Sequence, residues 1–230
     1  MPQPPPPPER PVKLASYLIG GLLALAALAV LALPQYARVY AKGPANTWHE
    51  KLACVDCHLR APGTPRQQLQ AKVQYWLGNR AADASFGHSS VGNAQCSACH
   101  TREVDNHPVH RFLEPRFVDA RAELGAQNCV SCHREHQGVR VTAPQTACRV
   151  CHKDLDVKKE TIVGPSHKQL VAQGAWTTCL GCHDFHGNHK RVAQKQFNDA
   201  YPVSAIRHYL DGGPSPYGHD MKYPAKKGTH

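Results

Sequence analysis

The sequence predicts a mainly α-helical chain with much irregular structure, built around covalent prosthetic groups instead of a side-chain core, plus one N-terminal transmembrane helix. Three observations lead there. The ten cysteines occur only in five copies of Cys-x-x-Cys-His. Residues 14–33, LASYLIGGLLALAALAVLAL, hold no charged side chain. The rest is poor in ordinary core material: aromatics make up 7% of the chain, and mean hydropathy is -0.48 even with the apolar run included.

The motifs are Cys54-Val-Asp-Cys57-His58, Cys96-Ser-Ala-Cys99-His100, Cys129-Val-Ser-Cys132-His133, Cys148-Arg-Val-Cys151-His152 and Cys179-Leu-Gly-Cys182-His183. Cys-x-x-Cys-His attaches c-type haem. Two thiols two residues apart reach the vinyl groups on one edge of the porphyrin, and the adjacent histidine ligates the iron. One copy is a weak signal; five copies that leave no cysteine over are a strong one. Zinc ribbons also pair Cys-x-x-Cys units, but zinc needs no histidine after every second cysteine, and five units do not pair evenly. A disulfide framework likewise leaves the five histidines unexplained. The expected cofactors are five haems c, with His58, His100, His133, His152 and His183 as proximal iron ligands.

The sixth iron ligand separates electron carriers from haems that bind ligands or catalyse. Five of the sixteen histidines are proximal, which leaves eleven for the distal positions. Of the two methionines, Met1 is the initiator and Met221 lies in a Gly/Pro-rich tail. Bis-histidine ligation is the economical reading. His136 (CHREH) and His186 (CHDFH) follow their own motifs too closely to turn back, and are better placed to reach the far face of a neighbouring haem. Further candidates are His49, His88, the pair His107 and His110, and His167. His189, His208, His219 and His230 read as solvated or propionate-facing.

The apolar run is long enough to span a bilayer as a helix. A cleaved signal peptide normally has a shorter apolar region and a small-residue cleavage site, which LALPQYARVY lacks. The flanking Arg10, Lys13, Arg38 and Lys42 give little asymmetry. Orientation follows from the motifs, since bacterial haem attachment occurs on the periplasmic side. The expected layout is a disordered Pro-rich cytoplasmic tail over 1–13, the anchor over 14–33, a periplasmic pentahaem domain over 34–200 and an irregular tail over 201–230.

Within the soluble part, the first cysteines at 54, 96, 129, 148 and 179 are spaced irregularly. The short gap between the third and fourth motifs makes those two haems expected neighbours. Thr64 and Pro65 predict a helix start, with Leu69, Val73, Trp76 and Leu77 on one face that packs on haem and Gly78 as the stop. A second short helix is expected from about Arg116 to Leu124, ended by Gly125. No useful strand pattern appears. About 37 residues per haem are too few for a side-chain core, so the apo-protein should be unfolded.

The net charge of +10 invites a nucleic-acid reading, but no basic run with interleaved aromatics appears. Haem propionates, two per haem, would cancel the excess. The remaining cations suit propionate pairing or docking of an anionic protein.

The segments HPVHRFLEPRF, CVSCHREHQG, CRVCH and PSHKQLVAQGAWTTCLGCHDFHGNH together resemble membrane-anchored multihaem cytochromes of the class III cytochrome c type, over roughly residues 105–190. That resemblance implies His110, His136, His167 and His186 as distal ligands. Common relatives carry four motifs, so a fifth is a departure. Similarity to the anchored quinol-oxidising cytochromes of nitrate and nitrite respiration is not close.

The expected function is electron transfer, not catalysis. The chain would be single-pass in the bacterial inner membrane. It would carry electrons from a quinol-linked or other respiratory or photosynthetic donor to a periplasmic or membrane acceptor, as a subunit of a larger complex with redox partner proteins and no nucleic acid. The alternative is a multihaem reductase with one open catalytic haem. Some such enzymes replace the proximal histidine by lysine, and here all five motifs keep histidine. A gas sensor would need an output domain.

Overall fold

The computed structural model describes residues 9–31 and 42–226. It divides into two compact units, Met1–Pro44 and Ala45–His230. The first holds helix α1, Glu9–Leu31. Within it Lys13–Val30 has a mean hydropathy of 1.9, and none of this window is buried. At 1.5 Å per residue a 23-residue helix is about 34 Å long, enough to cross a bilayer. α1 starts earlier than expected, taking in residues 9–13 of the supposed disordered tail. Pro11 falls in its first turn, where a missing N–H costs nothing. The rest of that tail (1–8), the last two anchor positions (32 and 33) and His230 lie outside the described residues.

The second unit is helical and irregular, and its described residues contain no strand, only isolated bridges such as Arg60 with His88. Its helices are short: α2 Cys54–Cys57, α3 Pro65–Trp76, α4 Asn93–Cys99, α5 Val118–Leu124, α6 Cys129–Cys132, α7 Cys148–His152, α8 His167–Ala172, α9 Cys179–Cys182 and α10 Val203–Leu210. Two follow the sequence closely. α3 starts at Thr64, whose hydroxyl accepts from Gln67 N while Gln67 returns to Thr64 N, a capping box followed by Pro65. It stops at Gly78, whose φ of 76° suits glycine. α5 ends at Gly125 with φ 61°.

Side-chain core is scarce. Ile206 is the one large side chain that is fully buried among the described residues, with Ala61, Ala84, Phe112, Ala120 and Tyr217 nearly so. The predicted apolar face of α3 is uncovered by protein: Leu69, Trp76 and Leu77 are all more than half exposed. The buried residue of α3 is instead Gln68. It donates to the carbonyls of Ala61 and Gly63 and accepts from Gly87 N, pinning the segments on either side of α3 together.

The tail expected to be irregular contains α10, which buries Ile206 and packs on α9. Two arginines bind it to the motifs. Arg140 donates to the carbonyls of Tyr209 and Gly213 and lies over the rings of Trp48 and Tyr209. Arg191 donates to the Cys182 carbonyl and lies over Tyr217. Lys226 N donates to Cys99 O at 3.0 Å.

Candidate haem-ligating histidine pairs

Each motif forms one helical turn. The backbone N–H of the histidine closes on the carbonyl of the first cysteine, at 2.8 Å for His58 and 2.9 Å for His100, His133 and His183. In the fourth motif α7 itself runs through His152. A single turn puts both sulfurs and the imidazole on one side of the chain.

Every motif histidine faces a second imidazole. Ring centroids are 5.9 Å apart for His100 and His49, and 6.1 Å for His152 and His107, His133 and His186, and His183 and His167. His58 has two such neighbours, His136 at 6.2 Å and His88 at 6.1 Å. Two imidazoles sharing one metal ion on a common axis, at about 2.0–2.1 Å from each nitrogen, place their centroids about 6.2–6.4 Å apart. The pairs have about that spacing, and each supplies two ring nitrogens. No group of three or more His, Cys, Asp or Glu among the described residues could hold a metal ion.

The facing histidines are oriented by acceptor-only partners. Nδ1–H of His49 donates to Glu135 at 2.6 Å, that of His107 to the Phe185 carbonyl at 2.6 Å and that of His167 to Glu160 at 2.9 Å. His186 donates to both oxygens of Asp105, at 3.0 and 3.1 Å. A carboxylate or carbonyl acceptor places the proton on Nδ1, which leaves the lone pair on Nε2. On the motif side, burial lowers the pKa of His100, His133, His152 and His183, keeping them in the neutral form that binds a metal.

Contacts beside the motifs pair them. Cys129 N donates to Asn93 Oδ1 at 2.9 Å, and Asn93 Nδ2 donates to the Gln127 carbonyl at 2.7 Å, tying the start of α4 to that of α6. The turns that lead into motifs four and five, Gln145–Ala147 and Trp176–Thr178, pack on each other. Motifs two and three are thus neighbours, and so are four and five. These contacts leave the expected closeness of motifs three and four, through their short connection, untouched.

Of the six distal candidates, His49, His136, His167 and His186 each face a motif histidine, and His88 shares His58 with His136. His136 and His186 both face a histidine of another motif. His110 stands opposite none in the ring contacts of the described residues. The ring opposite His152 belongs to His107, three residues earlier. The 3-10 turn Val109–Leu113 buries Phe112 against Phe117 and leaves His110 exposed. Asp105 accepts from His107 N at 2.8 Å and sets its direction. His189 departs from expectation: it is buried at 6% exposure, with Nδ1 bonded to Asp184 and Nε2 to Ser215, so it serves the tail packing and not solvent. His208 and His219 are exposed. The orienting residues Asp105, Glu135 and Glu160 were not singled out from the sequence. Only Glu135, next to His136 in CHREH, sits close enough to a motif to have signalled itself.

Comparisons of the chain with family models, with curated proteins and with solved structures return no match.

Proposed function

We propose that the chain is a membrane-anchored pentahaem c-type cytochrome of the class III-like kind that transfers electrons at the periplasmic face of the bacterial inner membrane. Five motif histidines, each facing another imidazole at 5.9–6.2 Å, are the observation that carries this reading. The residues fit the group in three respects. Both thiols and the histidine of each motif share one helical turn. The facing imidazoles present Nε2. Apolar side chains such as Leu69, Trp76 and Leu77 stand uncovered in a domain with almost no core of its own.

When bound, the haems would supply one-electron carriage, at low potential with two imidazoles on each iron. Cys54 and Cys57, Cys96 and Cys99, Cys129 and Cys132, Cys148 and Cys151, and Cys179 and Cys182 would form the thioethers. His58 with His136, His100 with His49, His133 with His186, His152 with His107, and His183 with His167 would hold the irons. His136 is chosen over His88 because its ring meets His58 at 25°, the same angle at which His186 meets His133, and each of the two follows its own motif by the same spacing. With every motif histidine faced, no residue pattern leaves a sixth position for substrate, and the electron-carrier role is favoured over the reductase. α1 serves as the anchor, and a membrane donor and a soluble or membrane acceptor are the partners.

An alkaline pyridine spectrum of the purified full-length chain tests this. Five haems per chain that resist acid–acetone extraction are expected. No haem, or haem that extracts, would overturn the reading.

A further inference from the structure

Two segments far apart in sequence clasp each other between the two groups of motifs. Asn106 N donates to the His186 carbonyl at 3.3 Å. His107 Nδ1–H donates to the Phe185 carbonyl, and His186 Nδ1–H to Asp105. Gly187, with φ 68°, lets the chains come this close, since a Cβ there would lie 2.6 Å from Asn106 Nδ2. At the centre is the Phe185 ring. It stacks on His107 with centroids 4.2 Å apart and planes 14° from parallel, and it meets His186 edge-on at 5.0 Å.

The consequence is an unbroken row of rings: His152, His107, Phe185, His186, His133. Its two outer steps, 6.1 Å each, are the proposed iron sites of motifs four and three. Motif three belongs with motif two through the hydrogen bond from Cys129 N to Asn93, and motif four with motif five through the packed turns Gln145–Ala147 and Trp176–Thr178. The Phe185 ring is 38% exposed and fills no core. Its close contacts are with two histidines, each the outer ligand of a different site.

We propose, building on the five-haem reading, that Phe185 is the positioning residue that couples the third and fourth haem sites and so joins the two groups of haems. It fixes both distal imidazoles by packing, and its ring closes the gap between them. Such coupling needs a contiguous packed connection, and van der Waals contact is lost quickly when a gap opens. In the coupled step one electron leaves the ferrous iron held by His107 and His152, which becomes ferric. It reduces the ferric iron held by His133 and His186 to ferrous. No proton moves, and the direction follows the potentials.

The test uses the full-length holoprotein and two variants, Phe185→Leu and Phe185→Tyr. Haem content is measured first on the wild type; fewer than five haems would contradict the five-haem reading itself, independently of Phe185. After photochemical injection of a single electron, its redistribution among the haems is followed optically, and the low-spin ferric signals are recorded by electron paramagnetic resonance. Phe185→Leu should slow redistribution about tenfold, a barrier change of about 1.4 kcal/mol, and shift the signals of two haems of the five. Phe185→Tyr, which keeps the ring, should behave as wild type. An unchanged rate in Phe185→Leu overturns the proposal, as does equal slowing in both variants.

Discussion

The His186 imidazole is held from behind by Asp105, at 3.0 Å, while its ring stands 6.1 Å from that of His133. Asp105 and His186 are 81 residues apart in the chain. Burial raises the Asp105 carboxyl, but the hydrogen bond and charge of His186, with the His107 N–H, outweigh it and hold the pKa below its ordinary value. A carboxylate behind a ligating histidine increases its basicity and fixes its tautomer. Asp105→Asn should therefore raise the potential of one haem in five, by an amount on the order of tens of mV. A spectroelectrochemical titration reads this, and five unchanged potentials would count against the assignment.

His58 provides a direct choice between two neighbours. His136→Ala should open one haem to carbon monoxide, seen as a spectral change in one-fifth of the reduced haem. His88→Ala should leave the reduced spectrum indifferent to carbon monoxide. The reverse result would move the ligand to His88 and leave the remaining four pairs as they are.

The last motif is packed against the tail through glycine. A Cβ on Gly181 would lie 2.6 Å from the Tyr201 carbonyl, which is backbone and cannot swing away. Gly181→Ala should thus destabilise the domain by about 1–3 kcal/mol, as overpacking does elsewhere. Thermal unfolding followed at the Soret band measures it, with an unchanged midpoint as the contrary outcome.

Tyr217 donates to the carbonyls of Leu180 and His183, at 2.6 and 3.2 Å. Burial, with Asp184 and Tyr209 nearby, raises its pKa well above the ordinary value of 10.0. A raised folded value means that Tyr217's contribution to stability is complete below the unfolded pKa and declines as pH rises above it. The wild type should accordingly lose stability above about pH 10. Tyr217→Phe should be less stable by about 1 kcal/mol at neutral pH and show a shallower alkaline decline. Denaturant midpoints at a series of pH values check both parts.

A chain in which the motif cysteines are replaced by alanine should fail to fold its second unit. Ile206 is its one fully buried large side chain among the described residues, and so small a core cannot offset the conformational entropy of some 180 residues. Far-ultraviolet circular dichroism should then retain little beyond the signal of α1. A cooperative thermal transition in the haem-free chain would be the opposing result.

Much of this was legible in the sequence because it is local. The motifs, the helix start at Thr64 and Pro65 and the stops at Gly78 and Gly125 depend on residues within a few positions of each other. The choice of His107 over His110 was not legible. Both sit in HPVHRF, and what separates them is the contact of residues 105–107 with 184–187, a long-range clasp with no local signature. α10 was hidden by the glycines and prolines around it; in the fold it buries Ile206, and Arg140 donates to the carbonyls of Tyr209 and Gly213 at its end. The neighbouring of motifs two with three and four with five likewise rests on contacts between distant segments, such as Cys129 N with Asn93, that chain spacing does not specify.

The central claim is that five imidazole pairs close the axial positions of five covalent haems. The most direct measurement is the visible spectrum of the dithionite-reduced full-length chain before and after carbon monoxide. The account predicts a low-spin c-type spectrum amounting to five haems per chain, unaltered by the gas. A change equivalent to about one haem in five would reveal an open iron and turn the reading towards a reductase, and absence of a c-type spectrum would contradict it outright.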